Sequence, residues 1–159
     1  APGTFPIIED HFAAQNVATT GNITQSGAGT FTTGTGAVTL SGVTTLLKAG
    51  VPTVVSLTDG ANIATDASLG NVFKVTLGGA RTLDPPSNPT AGQRCIWRFK
   101  QDAGGSKTIA LTGGAGGFRL GADISSVTLS TGANITDYMG AIYNADDNRW
   151  DVIAFVKGY

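Results

Sequence analysis

The residues able to do chemistry in this chain are few, and their spacing is informative. His11 is the only histidine, and no serine sits in a Gly-x-Ser-x-Gly turn. Serine–histidine hydrolysis and histidine-centred metal chemistry both need a positioned imidazole with partners. His11 lies in an N-terminal head without sustained periodicity and reads as an ordinary polar contact. Glycoside hydrolysis needs two carboxylates, for which Asp59, Asp66, Asp84, Asp102 and Asp123 are candidates. Most of them sit in turn contexts such as Asp59-Gly60 and Asp84-Pro85, where aspartate bonds its own backbone, and nothing singles out a pair.

Asp146, Asp147, Asn148 and Asp151 carry oxygens that could cradle a hard cation. A hairpin tip accounts for the same residues, and the EF-hand spacing with its terminal glutamate is missing. Gly113-Gly-Ala-Gly-Gly117 has the glycine content of a phosphate loop but not the Gly-Lys-Ser/Thr ending. A flexible turn, or a tight backbone approach at a subunit contact, is the expectation there. What remains is a basic stripe, Arg94, Arg98 and Lys100, alternating with Cys95, Trp97 and Phe99, with Lys107 opposite across an expected hairpin. Such a stripe would suit an acidic partner surface or a glycan acid, and a merely solvated face is its alternative. Tyr138, Tyr143 and Tyr159 are candidates for a sugar platform. The reading is therefore non-enzymatic, with no catalytic residues, cofactor or metal site expected.

The elements that must position these residues are β-strands. Charged residues are 13% of the chain and glycine supplies 23 of 159 residues, against about 25% and about 7% in ordinary soluble proteins. Low charge with abundant Gly, Thr and Ala suits densely hydrogen-bonded β structure. The formal net charge of −1 gives no reason to expect nucleic acid or an anionic membrane as partner. A single cysteine excludes an intrachain disulfide and any multi-cysteine metal site, and Cys95 is expected as a small buried hydrophobe. No apolar run approaches the roughly 20 residues of a membrane span, and no signal-peptide pattern opens the chain. Synthesis in a reducing cytoplasm is the expectation.

Three segments follow from composition. Residues 1–20 form an anchoring arm with the apolar set Phe5, Ile7, Ile8 and Phe12, which is expected to order against a partner. Residues 21–50 contain a glycine-bounded repeat, Gly21 to Gly27, Gly29 to Gly34 and Gly36 to Gly42. Each copy holds one bulky apolar residue, Ile23, Phe31 or Val38, followed by threonine. Such segments are too poor in apolar groups for a core of their own and are stable when copies stack or chains wrap together. A trimeric fibrous stalk is expected. Residues 51–159 carry strand patterns with turns between them, over 53–57, 71–77, 93–100, 107–111, 127–129, 138–143 and 149–156. Three alternations are clear: Phe73, Val75, Leu77; Cys95, Trp97, Phe99; and Trp150, Val152, Ala154, Val156. Asn144–Asn148 and Asp102–Ser106 are expected hairpin turns. No segment offers a ten-residue amphipathic helix, so parallel βαβ units are not expected. The expected knob is all-β, an antiparallel sandwich of jelly-roll type.

The stretch Leu57-Thr-Asp-Gly-Ala-Asn-Ile63, running on to Val75-Thr-Leu77, is joined by Arg81-Thr-Leu83, Ala91-Gly-Gln93, Gln101-Asp-Ala-Gly-Gly-Ser106 and the closing Tyr143 and Trp150-Asp-Val152. Together they resemble a module of tailed-bacteriophage virion proteins, the tail-fibre, head-fibre and capsid-decoration type. The resemblance covers about Leu57 to Tyr159 and implies a β-rich, trimeric module on a virion surface, with no catalytic residues. A short chain with its own arm, stalk and knob suggests a trimeric head fibre or decoration protein docked on the major capsid protein or another virion subunit. A short tail fibre recognising a host surface glycan is the alternative.

Overall fold

The computed structural model describes Val38, residues 41–45 and residues 49–159. The chain divides into two units, Ala1–Thr45 and Leu46–Tyr159. In the first unit the described residues form no regular element, and Val38 is exposed. Phe5, Ile7, Ile8, His11, Phe12, Ile23 and Phe31 lie outside the described residues, and with them the expected arm and most of the expected stalk.

The second unit is all-β. Among the described residues its nine strands are β1 Val54–Ser56, β2 Asn62–Ile63, β3 Val72–Leu77, β4 Arg81–Leu83, β5 Arg94–Gln101, β6 Ile109–Leu111, β7 Phe118–Leu120, β8 Thr136–Asn144 and β9 Arg149–Val156. A short 3-10 turn at Ala67–Leu69 is capped by Asp66, whose side chain accepts from the Ser68 amide. No helix among the described residues is long and apolar enough to cross a membrane.

The strands form two sheets, one of six strands in the order β1-β3-β5-β8-β9-β7 and one of three, β2-β4-β6. From β1 to β6 the chain alternates between them, leaving one strand in each sheet per circuit. Every pair within that winding is parallel: Val54 beside Val72 beside Ile96 in the larger sheet, Asn62 beside Thr82 beside Ala110 in the smaller. Only β5–β8 and β8–β9 are antiparallel, and β7 joins β9 in parallel. The expected antiparallel, jelly-roll pairing is thus corrected to mixed sheets. Parallel neighbours need a long crossover, usually a helix; here the crossover is itself a strand in the other sheet. In sequence such a winding looks like a meander, because both alternate short apolar strands with turns.

The inward faces share one core. Phe73, Val75 and Leu77 from β3, Cys95, Trp97 and Phe99 from β5, and Met139 and Ala141 from β8 are buried with Ile63, Leu83 and Ile109 of the smaller sheet. Trp97 is the hub: it stacks on Phe73 at 5.8 Å and meets Phe118 and Trp150 edge-on at 5.5 and 5.7 Å. Its indole Nε1 donates to Thr65 Oγ1 at 3.1 Å. The first two expected alternations hold. The third breaks after Val152, where a bulge inserts Ile153 between the pairs Ala141–Val152 and Gly140–Ala154. One extra residue reverses the faces beyond it, so Phe155 packs against the core while Ile153 and Val156 are exposed.

Turns at 144–148 and 102–106 fare differently. The first closes the β8–β9 hairpin, with Asn148 in the left-handed region at φ 50°. The second is not a hairpin, because β5 stays in the larger sheet while β6 pairs with β4 in the smaller. Asp102 Oδ1 accepts from the amides of Gly104 and Gly105 there, and buried Gln101 replaces strand pairing by bonding both backbone groups of Lys107. Residues 127–129 form no strand, although Leu129 enters the core.

Candidate functional site

Most carboxylates are occupied by the fold. Asp59 takes Arg81 in a fork, Nε to Oδ1 and Nη2 to Oδ2, both at 2.7 Å, and also accepts from the Gly78 amide. The Arg81 bonds hold its carboxyl below the usual aspartate range. Asp66 is lowered by its bonds to Ser68 and Asn88. Asp84 accepts from Asn62 Nδ2 at 2.7 Å. Asp137, 1% exposed, accepts from the Ser130 amide, the Ser130 hydroxyl and the Gly158 amide at 2.6, 2.8 and 2.9 Å. Each of these aspartates therefore has its acceptors engaged by groups that organise a turn or strand end.

The Asp146, Asp147, Asp151 turn already has its cation. Arg119, on edge strand β7, donates from Nε to Asp151 Oδ1 at 2.7 Å and from Nη2 to Asp147 Oδ2 at 2.8 Å. These bonds raise the guanidinium pKa further and lower that of Asp151. Asp146 is exposed and stands apart from the pair. Among the described residues no group of three or more His, Cys, Asp or Glu is placed to hold a metal ion. Gly113–Gly117 is a tight internal turn: Gly116 N donates to Asn148 O and Trp150 N to Gly117 O, and a Cβ at Gly117 would strike the carbonyls of Thr112 and Gly113. The close backbone approach is real, and it lies within one chain. Cys95 is buried as expected, and burial pushes its thiol up to about 11, which leaves it inert.

The basic stripe is real too, and larger than the sequence showed. Arg94, Arg98 and Lys100 all point outward from β5. The parallel register adds Lys74 of β3, which stands directly beside Arg98, while Thr76 stands beside Lys100. Lys107 is not part of the stripe; it pairs with Asp102 at 3.5 Å. Lys74, Arg98 and Lys100 make no ion pair among the described residues, and with Ser56 and Thr76 they line an open concavity of about 380 Å³.

Alongside runs an apolar row, Val54, Val72, Ile96, Gly140 and Ala154, one from each of five neighbouring strands. Gly140 leaves a notch of about 330 Å³ between Ile96, Tyr138, Ile153 and Val156. The three tyrosines do not form one platform. Tyr138 and Tyr159 meet edge-on at 5.6 Å, while Tyr143 packs on Trp150. Sequence reasoning missed Lys74, although its alternation with Phe73 and Val75 already placed it on the outward face. What was absent was the parallel register that brings it to Arg98. No protein-family model matches this chain, and no curated protein matches it.

Proposed function

We propose that this chain is a non-enzymatic structural protein of a tailed-phage virion surface, a trimeric head fibre or capsid decoration protein. In this reading residues 1–20 dock on the major capsid protein or another virion subunit through Phe5, Ile7, Ile8 and Phe12. Ile23, Phe31 and Val38 meet their copies near a three-fold axis, each contributing roughly 1.5–3 kcal/mol when buried. The β domain faces outward.

The observation that carries the non-catalytic part is the engagement of Asp59, Asp66, Asp84, Asp137 and Asp151 by groups of the fold itself. General acid–base work needs a carboxyl free to exchange its proton with a substrate. The virion part is supported by the resemblance over Leu57 to Tyr159 and by the all-β fold of that same stretch. A second reading, a short tail fibre that binds a host surface glycan, is favoured by the cationic outward face.

Immunogold labelling of intact particles, with sedimentation of the purified protein, tests the proposal. Label on the head and a single trimeric species are expected. Label confined to the tail would replace the first reading by the second, and a monomer at micromolar concentration would remove the stalk.

A further inference from the structure

We propose that the outward face of the six-stranded sheet is a binding site for a carboxylated saccharide, held by Lys74, Arg98 and Lys100 and by the apolar notch over Gly140. This deepens the glycan-recognition reading and rests on it.

The first argument is charge. Lys74 and Arg98 occupy paired positions on β3 and β5, and Lys100 lies one step further along the same face. Like charges side by side on neighbouring strands repel. Three other cations are answered internally, since Arg81 receives Asp59, Arg119 receives two aspartates and Lys107 receives Asp102. Among the described residues Arg94, Arg149 and Lys157 stand singly, and only Lys74, Arg98 and Lys100 share a hollow without an ion pair. Lys74, Arg98 and Lys100 meet no acid among the described residues, and all three line one open concavity. The complement is an anion from outside.

The second argument selects the anion. Both β3 and β5 are paired on each side, β3 with β1 and β5, β5 with β3 and β8. Their backbone amides and carbonyls are consumed by the ladders, so the face offers only side chains. An extended peptide draws its affinity from main-chain bonds at a free sheet edge; the edge bordering this site is the three-residue strand β1, while the cations stand on β3 and β5, which are paired on both sides. Nucleic acid needs a longer run of phosphate contacts than three cations supply. A saccharide carries its own hydroxyls and can be read by side chains alone. Here Arg98 and the lysines meet the carboxylate, and the hydroxyls of Ser56 and Thr76 meet the ring oxygens. Ile96 and Tyr138 offer an apolar wall to the carbon face of the neighbouring sugar. The two hollows lie in adjacent rows of one sheet, since the row Ser56, Lys74, Arg98, Tyr138, Val156 flanks the row through Ile96 and Gly140.

The test titrates the full chain calorimetrically with tetragalacturonate and with a sialic-acid tetramer, each against its carboxyl-reduced form. At least one acidic oligomer should bind, more weakly as salt rises, and its reduced form should not. Arg98→Ala and the pair Lys74→Ala with Lys100→Ala should each weaken binding by about tenfold or more, as expected for charge-assisted bonds. Gly140→Leu should weaken it by filling the notch, and Arg119→Ala should leave it unchanged. Amide chemical-shift mapping on the unaltered chain should place the ligand at Lys74, Arg98 and Gly140, whatever the variants do. Binding of neither acidic oligomer, equal binding of the reduced forms, shifts elsewhere, or binding of oligoglutamate in their place would overturn the assignment. Failure here with labelled particles leaves the virion reading standing, and binding without label does the reverse.

Discussion

Arg119 and Arg98 stand on the same outward face of the same sheet, and the fold treats them in opposite ways. Arg119, on an edge strand, is held by Asp147 and Asp151, and its bonds fix the β8–β9 turn against β7. Arg98, on a central strand, has Lys74 beside it and no acid among the described residues. The first charge is answered by the chain that carries it. The second stands unanswered among the described residues, above the core built on Trp97. Arg119 thereby belongs to the architecture, whereas Arg98 is the charge that the binding proposal draws on.

The sharpest break of this comparison comes from the deepest answered charge. Asp137→Ala would strand three donors at a strand end, Ser130 N, Ser130 Oγ and Gly158 N. At about 1–3 kcal/mol for each buried group left without a partner, discounted for water reaching the partly buried ones, a loss of roughly 3 kcal/mol is expected. Urea unfolding should show it, and an unchanged midpoint would mean that this carboxylate organises nothing.

Arg119→Ala should cost clearly less, because half-exposed ion pairs are screened by solvent. Its signature is pH dependence. Asp59 and Asp151 titrate below their ordinary value because guanidinium groups stabilise their ionised forms. A carboxyl lowered in the folded state adds stability that is present above its unfolded pKa, about 3.9, and is lost as pH falls through the folded value. Stability should therefore drop below about pH 4, and Arg119→Ala should remove the part owed to Asp151. Urea midpoints at neutral pH and in the acid limb would decide, and equal acid sensitivity in both proteins would count against the pairing.

The smallest effect should have the opposite sign. Lys74→Gln relieves the repulsion with Arg98 and should leave stability unchanged or raise it by about 0.2–0.5 kcal/mol. A clear loss of stability would show that Lys74 is structural after all and would blur the contrast with Arg119.

Much of this was legible in the sequence at the level of single strands. The alternation of Cys95, Trp97 and Phe99 against Arg94, Arg98 and Lys100 gave β5 with both its faces correct. Polar tips at Asn144–Asn148 gave the hairpin. Pairing was not legible, since parallel and antiparallel neighbours bury the same alternating residues and differ only in how the chain returns. Strands β2, β4 and β7 are two or three residues long, too short for a period to show. Ile153 is an apolar residue in an apolar strand, so nothing in its type announces the bulge that turns it outward. Two of the three cations, Arg98 and Lys100 on β5, could be read directly. Lys74 needed the register, which no local pattern carries.

The winding from β1 to β6 also separates two kinds of evolutionary change. The outward rows are set by which residues stand side by side on β1, β3 and β5, whereas the chain between those strands travels through the other sheet. Lengthening a connecting loop costs little, because closure entropy grows only slowly with length, and it moves no member of a row. Slipping one strand by a single residue would instead carry Arg98 into the core and Trp97 into water. Loops in such a molecule are free to drift, insert and diversify while the face stays constant, and a new specificity can arise by exchanging one outward side chain at a time without touching the path of the backbone.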